Sequence, residues 1–266
     1  MKDIHSHVLF GIDDGPQNID DSLDMLRDAA AIGYTGIVCS SHYYPGIYEN
    51  KNYDLNFKLL QEGIKENKIP IEIYKGNEAV LHPEVLKHLK DINTINGGDY
   101  ILIELDPGII YQSCLNFMKR VQGLGYKPVL AHIERYTNFT KKELINLYNA
   151  GVILQMNIRE VEEMNRDIKS LLMRRYIEVV ATDSHNMKRR NYKLEHYMEK
   201  LKKIVGDEYF KILTDENPSR IINNKEIIRG EWQDEKKNTC NIFVSLWRKL
   251  FTGNEPEWNF GQSKKF

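Results

Sequence analysis

Seven short apolar or β-branched runs, each followed by a helical pattern, limit what this chain can fold into more than any other feature. The runs are Asp3 to Val8, Gly36 to Ser41, Ile71 to Gly76, Tyr100 to Leu105, Pro128 to Ala131, Val152 to Met156 and Val179 to Thr182. Strands that alternate with helices pair in parallel, because each helical crossover returns the chain to the end of the sheet where the last strand began. Seven such units suit a closed (β/α) barrel better than two packed domains, with an open doubly wound sheet as the alternative. The stretches between the runs carry helix signals of their own. In IDDSLDMLRDAAAIG, Leu23, Leu26 and Ala30 fall on one face and Gly33 supplies a C-terminal stop. The helix after TKKE opens with a capping box of Thr140 and Glu143 and ends at Gly151. The alternation fades after NPSRIINN, so the expected organisation is an α/β barrel over residues 1–224 and a separate tail over 225–266.

The polar residues cluster where these strands end. The first strand carries His5 and His7, which an extended backbone projects from one face, and is followed by Asp13 and Asp14. Later strands end in SSH (His42), GNE (Glu78), ILIEL (Glu104), LAHIER (His132, Arg135) and ATDSH (Asp183, His185). Of the 8 histidines, only His82, His88 and His196 fall elsewhere. In a parallel barrel the C-terminal strand ends form the rim on which active sites are built. Taken singly, each residue has an ordinary structural reading. His5 and His7 can be a chance repeat, His42 or His132 a hydrogen-bonded core histidine, and Glu78 or Glu104 a helix N-terminal carboxylate. Taken together, burying these acids and imidazoles without a cation leaves charges uncompensated at several kcal/mol each. Two neutral imidazoles on one face make chemical sense when they share a metal. No cysteine joins the set, and it exceeds what one ion needs, which points to two or three divalent ions such as manganese, iron or zinc.

HSHVLFGIDDG, SSH, GNE, ILIE, AHIERY and TDSHN, in this order, resemble the polymerase and histidinol phosphatase (PHP) superfamily. Within it they are similar to the bacterial tyrosine-protein phosphatases of capsule and exopolysaccharide operons, the CpsB/YwqE type. The resemblance covers about residues 1 to 224 and implies a distorted seven-stranded (β/α) barrel holding a trinuclear, usually manganese, site. It implies one ion on His5, His7, Glu78 and Asp183, a second on Glu78, Glu104 and His132, and a third on Asp14, His42 and His185. It also implies phosphate-binding roles for Arg135 and Arg190, with Arg189 adjacent to the second, and the preference for Asp14 over Asp13 rests on it alone. The implied activity is hydrolysis of phosphotyrosine in a metal-dependent protein tyrosine phosphatase. The implied partner is a membrane-associated bacterial tyrosine kinase that governs polysaccharide synthesis.

Other readings compete with this one. A histidinol phosphatase or other small-molecule phosphomonoesterase shares the superfamily, and a metal-binding regulatory module without turnover needs no substrate. The Glu104 carboxylate and the HIERY segment favour the tyrosine phosphatase, and the complete ligand set disfavours the module. A formal net charge of −1 and the lack of a basic stripe argue against a nucleic-acid track. Cys114 and Arg120 satisfy the C-x5-R spacing of cysteine-dependent phosphatases, but the intervening LNFMK is a helix former without the glycines of a phosphate loop, with Leu115 and Met118 facing the core. In HYYPGIYENKNYDLNF, the tyrosines either stack on an aromatic substrate or pack the loop onto the barrel.

Nothing before His5 can serve as a signal peptide and no apolar run spans a bilayer. Cys39, Cys114 and Cys240 form no disulfide pattern, so the chain reads as a reduced cytoplasmic protein. The tail contains Trp232, Trp247 and Trp258, and its CNIFVSLWRKLF reads as an amphipathic helix. Aromatic anchors beside cations suit peripheral contact with a membrane or a partner's groove, or the helix folds back over the barrel.

Overall fold

A computed structural model describes residues 1–106 and 108–230. Its strands are β1 (Lys2–Ser6), β2 (Gly36–Tyr43), β3 (Glu72–Val80), β4 (Tyr100–Glu104), β5 (Lys127–Leu130), β6 (Ile153–Asn157) and β7 (Val179–Ala181). Each pairs in parallel with the next, in chain order. The ring is completed past the named strands: Asp183 N donates to His5 O at 2.8 Å and His7 N to Ser184 O at 2.9 Å. The result is a distorted seven-stranded (β/α) barrel, with an irregular register between Asp3 and Ser6 of β1.

The helices outside the ring are α1 (Ile19–Ala31), α2 (Tyr53–Glu66), α3 (Pro83–Lys87), α4 (Tyr111–Gly123), α5 (Lys141–Asn149), α6 (Arg166–Met173), α7 (Glu195–Lys211) and α8 (Asn217–Ile222). None among the described residues is long and apolar enough to cross a membrane. The capping box on α5 is present, with Thr140 N donating to Glu143 Oε2 at 2.8 Å and Glu143 N to Thr140 Oγ1 at 3.3 Å. Helix α1 turns Ala29, rather than Ala30, to the core beside Leu23, Met25 and Leu26. Gly33 follows it with φ +93°, a backbone that L side chains rarely adopt.

Two strands run past their sequence-read ends. β2 continues from Ser41 to Tyr43 and β3 from Gly76 to Val80, so His42 and Glu78 lie within the sheet and directly opposite each other. Their polarity reads as a strand end, but the parallel ladder carries on through them because the side chains face a shared polar centre. Below that centre the barrel is apolar: Ile4, Val38, Leu102, Val129, Ile153 and Val179 fill it, and Ile221 and Ile222 of α8 join them.

The boundary expected at residue 224 falls short. The compact unit runs from Met1 to Gly230, because the segment after α8 is hydrogen-bonded into the barrel. Tyr100 Oη donates to Lys225 O at 2.7 Å, and Asn217 exchanges hydrogen bonds with the backbone of Ile228 at 2.7 and 3.0 Å. Arg229 Nε lies 2.9 Å from Glu178 Oε1, with its guanidinium 4.8 Å from the Tyr148 ring centroid. The three tryptophans and CNIFVSLWRKLF lie outside the described residues.

Burial pushes the Glu178 carboxyl up to about 8, while Arg229 pulls the other way. Because the folded value exceeds the ordinary 4.5, stability drawn from the protonated form is full below that value and lost as pH rises toward 8. Arg229 offsets that loss. Arg229→Ala is therefore expected to cost on the order of 1–2 kcal/mol, below the ~3–5 for breaking a fully buried pair because the arginine is partly solvated. Calorimetric melting should show a larger fall in Tm at pH 9 than at pH 5. Equal falls at both pH values would reduce Arg229 to a packing residue.

Candidate metal centre

All seven strands point the same way, so every residue that follows a strand arrives at one mouth of the barrel. His5 comes from β1 and His7 from just beyond it, His42 from β2, Glu78 from β3 and Glu104 from the end of β4. His132 follows β5, and Asp183 and His185 follow β7. Asp14 reaches in from the loop after β1.

Glu78 is the hub of the cluster. Its Oε1 lies 3.2 Å from His5 Nε2 and 2.9 Å from His132 Nε2, and its Oε2 lies 3.2 Å from both His7 Nε2 and His42 Nδ1. Asp183 Oδ1 is 3.4 Å from His5 Nε2 and 3.6 Å from His7 Nε2. Glu104 lies 3.1 Å from His42 and 3.7 Å from His132, and Asp14 3.3 Å from His185 and 3.5 Å from His42. Ligand atoms fall within 4.8 Å of one another in four groups: His7, Asp14, His42 and His185; His5, Glu78 and His132; His5, His7 and Asp183; and His42, Glu78 and Glu104. The structure thus brings together all nine side chains singled out in the sequence. It shares them more widely than the three sets the resemblance implies, since His7 also meets the Asp14 group and His42 the Glu104 group.

The donor set fits a cation. His42 Nδ1 and His185 Nε2 are buried without a hydrogen-bond partner, although each faces a carboxylate oxygen about 3 Å away. These two nitrogens crowd against carboxylates out of hydrogen-bond alignment, as donors arranged about a common point do, whereas His132 Nε2 is hydrogen-bonded to Glu78 Oε1. Four imidazoles have Nδ1 engaged inside the protein, which leaves Nε2 for the centre. The Nδ1 partners are Gln155 Oε1 for His5 at 3.0 Å, Asp13 Oδ2 for His7 at 2.7 Å, Tyr136 Oη for His132 at 3.2 Å and the Asp183 carbonyl for His185 at 3.1 Å. Burial opposes the charged form of Glu78, yet the facing histidines hold its pKa well below the usual carboxylate value. Burial, reinforced by the charge of His7, drops His185 to about 4, so it presents a neutral imidazole at pH 7.

The two neighbouring aspartates have separate tasks. Asp13 is buried and never faces the open centre: besides His7 it accepts His42 N at 2.9 Å and Gly15 N at 2.9 Å. A side chain at Gly15 would meet His7 O at 2.4 Å, so only glycine lets this loop close on the histidine. Asp14 is the half-exposed one, beside His42 and His185. His132 and Asp183 both hold left-handed backbone, with φ of 32° and 52°, a conformation that costs a non-glycine residue of order 1–3 kcal/mol. Surrounding contacts hold it: Gln155 Oε1 accepts His132 N at 2.9 Å, and Asn157 Nδ2 donates to Asp183 Oδ2 at 2.9 Å.

Arg135 and Arg190 flank the mouth, and each pairs with a different oxygen of Asp183. Arg189 is exposed and points its backbone, not its guanidinium, at Asn186. Asp13, Gln155, Tyr136 and Asn157 are the supporting residues that the sequence reading did not assign. Gln155 and Asn157 had a signal, as polar residues inside the apolar run ILQMN. The cysteine alternative fails on geometry. Cys114 sits inside α4 on its buried face with Phe117 and Met118, burial raises its thiol to about 12, and Arg120 is exposed. Leu115, expected inward, is only half-buried.

Comparison with known proteins places the chain in a family. A family model described as "Capsular polysaccharide synthesis, CpsB/CapC" matches residues 1–223. The tyrosine-protein phosphatase CpsB of Streptococcus pneumoniae is 31% identical over 238 residues, covering 84% of this chain and 98% of that protein. A crystal structure from work on Bacillus subtilis YwqE and S. pneumoniae CpsB, described as metal-dependent tyrosine phosphatases, superposes with a TM-score of 0.78. It is 28% identical and covers 88% of this chain and 98% of its own. Histidinol phosphate phosphatase from Lactococcus lactis shares the fold, with a TM-score of 0.53 and 18% identity over 77% of this chain and 93% of that one. On the family match over residues 1–223 and the near end-to-end likeness to the S. pneumoniae phosphatase, the chain belongs to the CpsB/CapC family of capsular polysaccharide synthesis proteins.

Proposed function

We infer that this protein is a metal-dependent protein tyrosine phosphatase that acts in the cytoplasm in the control of capsule or exopolysaccharide synthesis. The observation that carries the reading is a nine-residue imidazole–carboxylate centre with two arginines at its mouth, in a chain of this family. Its proposed substrate is phosphotyrosine on a membrane-associated bacterial tyrosine kinase. The proposed cofactors are two or three divalent ions, manganese first and iron or zinc as alternatives. His5, His7, Glu78 and Asp183 would hold one, Glu78, Glu104 and His132 a second, and Asp14, His42 and His185 a third. Such ions, when bound, supply hydroxide near neutral pH and neutralise phosphoryl oxygens.

The chain's own groups do the rest. Arg135 and Arg190 present guanidiniums at the solvent side of the centre, suited to clasp the equatorial phosphoryl oxygens and to stabilise charge that grows there. Asp183 keeps both arginines turned toward the mouth. Asp13, Gln155 and Tyr136 lock the orientation of the histidines, so the centre needs little rearrangement during reaction. The departing phenolate has a pKa of about 10, which asks less of a proton donor than an alkoxide does.

Chelation should abolish hydrolysis of a phosphotyrosine peptide and Mn²⁺ should restore it, while Cys114→Ser retains activity near that of the wild type. Full activity in metal-free protein would sink the reading. Arg135→Ala should lower kcat/KM on the order of 10²–10³-fold, with metal content by mass spectrometry and Tm close to wild type. Arg189→Ala, whose side chain faces solvent, should change kcat/KM less than twofold or so. A wild-type rate in Arg135→Ala would return that residue to a purely structural pairing with Asp183.

A further inference from the structure

The metal centre is sealed on most sides. Of its nine side chains, only Asp14, at 50%, Glu104, at 19%, and His42, at 17%, expose appreciable area. A substrate must therefore approach past these three. On the His42 and Glu104 side the approach is not a flat surface. It is a cavity of about 310 Å³ lined by His42, Tyr44, Tyr48, Val80, Glu104, Leu105 and Asp106.

We propose that this cavity is the aryl subsite, which receives the phenyl ring of the phosphotyrosine and sets the preference for aryl over alkyl phosphomonoesters; it rests on the phosphatase reading above. Two walls are aromatic and two aliphatic, and two further lining residues belong to the candidate metal centre, so a ring here lies next to the phosphoryl site. The volume is at the lower end of ligand pockets, which run from ~300 to 1,000 Å³, and suits a single ring better than a larger group.

The two tyrosines are held rather than loose. Tyr44 N donates to Tyr48 O at 2.8 Å and Tyr48 N to Tyr44 O at 2.9 Å, closing the loop Tyr44–Tyr48 on itself. The Tyr48 ring stacks on His42 with centroids 5.5 Å apart and planes 25° apart, and the Tyr44 ring lies 5.7 Å from His82. The other two tyrosines of the segment are structural. Tyr43 and Tyr53 are buried, and Tyr53 Oη donates to Cys39 O at 2.6 Å. The segment thus divides: Tyr53 and Tyr43 fasten it to the barrel, and Tyr44 and Tyr48 face the cavity. Asp106 gives the cavity wall a negative charge, which disfavours a phosphate in the slot and leaves the phosphoryl end to the arginines.

The test is calorimetric binding of phenylphosphonate and methylphosphonate, two non-hydrolysable ligands that differ only in the ring, to the Mn²⁺-loaded full-length protein. Wild type should prefer the phenyl ligand on the order of tenfold or more. Tyr48→Ala and Tyr44→Ala should each bring that ratio several-fold closer to one. Tyr44 faces His82 rather than a candidate ligand, so its variant removes the objection that Tyr48→Ala disturbs His42. Equal affinity of wild type for both phosphonates would overturn the proposal, as would variants that lose both ligands in parallel. A protein that binds the phenyl ligand preferentially but turns over no phosphotyrosine would instead sink the phosphatase reading and leave the aryl subsite standing.

Discussion

Two backbone hydrogen bonds, from Asp183 N to His5 O and from His7 N to Ser184 O, close the ring between the first and last strands. Everything at the mouth depends on that seam. It sets His-x-His and Asp-x-His side by side, so that Asp183 Oδ1 meets the Nε2 atoms of His5 and His7. Beneath it Asp3 is fully buried and accepts hydrogen bonds from the backbone of His5 and Thr182 at 3.2 Å each, from Thr182 Oγ1 at 2.6 Å and from Tyr192 Oη at 3.0 Å. A buried carboxylate with four donors ties both ligand-bearing segments to one point.

Above the seam the balance is electrostatic. Buried Glu78 and Asp183, with the partly exposed Glu104, bring three carboxylates close to five imidazoles. Such a group is costly unless opposite charges or bound cations compensate it. Two features absorb that cost in the fold itself. Arg135 and Arg190 each pair with one oxygen of Asp183, and hydrogen bonds at Nδ1, three to residues outside the cluster and one to the Asp183 carbonyl, orient four of the imidazoles. The left-handed backbone at His132 belongs to the same economy of space: Val129 and Ala131 face the interior, so a regular strand continuation would aim the His132 side chain away from the centre.

The two ends of the barrel serve different needs. At the mouth, the loop after β2 anchors itself through Tyr43 and Tyr53 and leaves Tyr44 and Tyr48 beside the centre. At the other end, α8 and the segment through Gly230 cover the apolar interior, with Arg229 compensating the buried Glu178. Residues 225–230 are therefore as much a part of the barrel as the helix before them.

Local chemistry made much of this legible in one dimension. Seven strand-like runs with helical crossovers imply a parallel ring, and in such a ring every strand ends at the same mouth. For that reason His5, His7, His42, Glu78, Glu104, His132, Asp183 and His185 read as one centre although they span most of the chain. The capping box at Thr140 and the stop at Gly33 are likewise signals that act within a few residues. What the sequence by itself left open depends on contacts between distant residues. Asp13 and Asp14 are neighbours with the same chemistry, and only the approach of His7 and His42 gives the first a supporting task. Gln155 becomes the partner of His5 across 150 positions, and the register of β2 against β3 sets His42 opposite Glu78. Only the folded chain brings Arg229 to Glu178. Those outcomes belong to the tertiary structure, because hydrogen bonds and ion pairs are short-ranged and the partners meet only once the ring has closed.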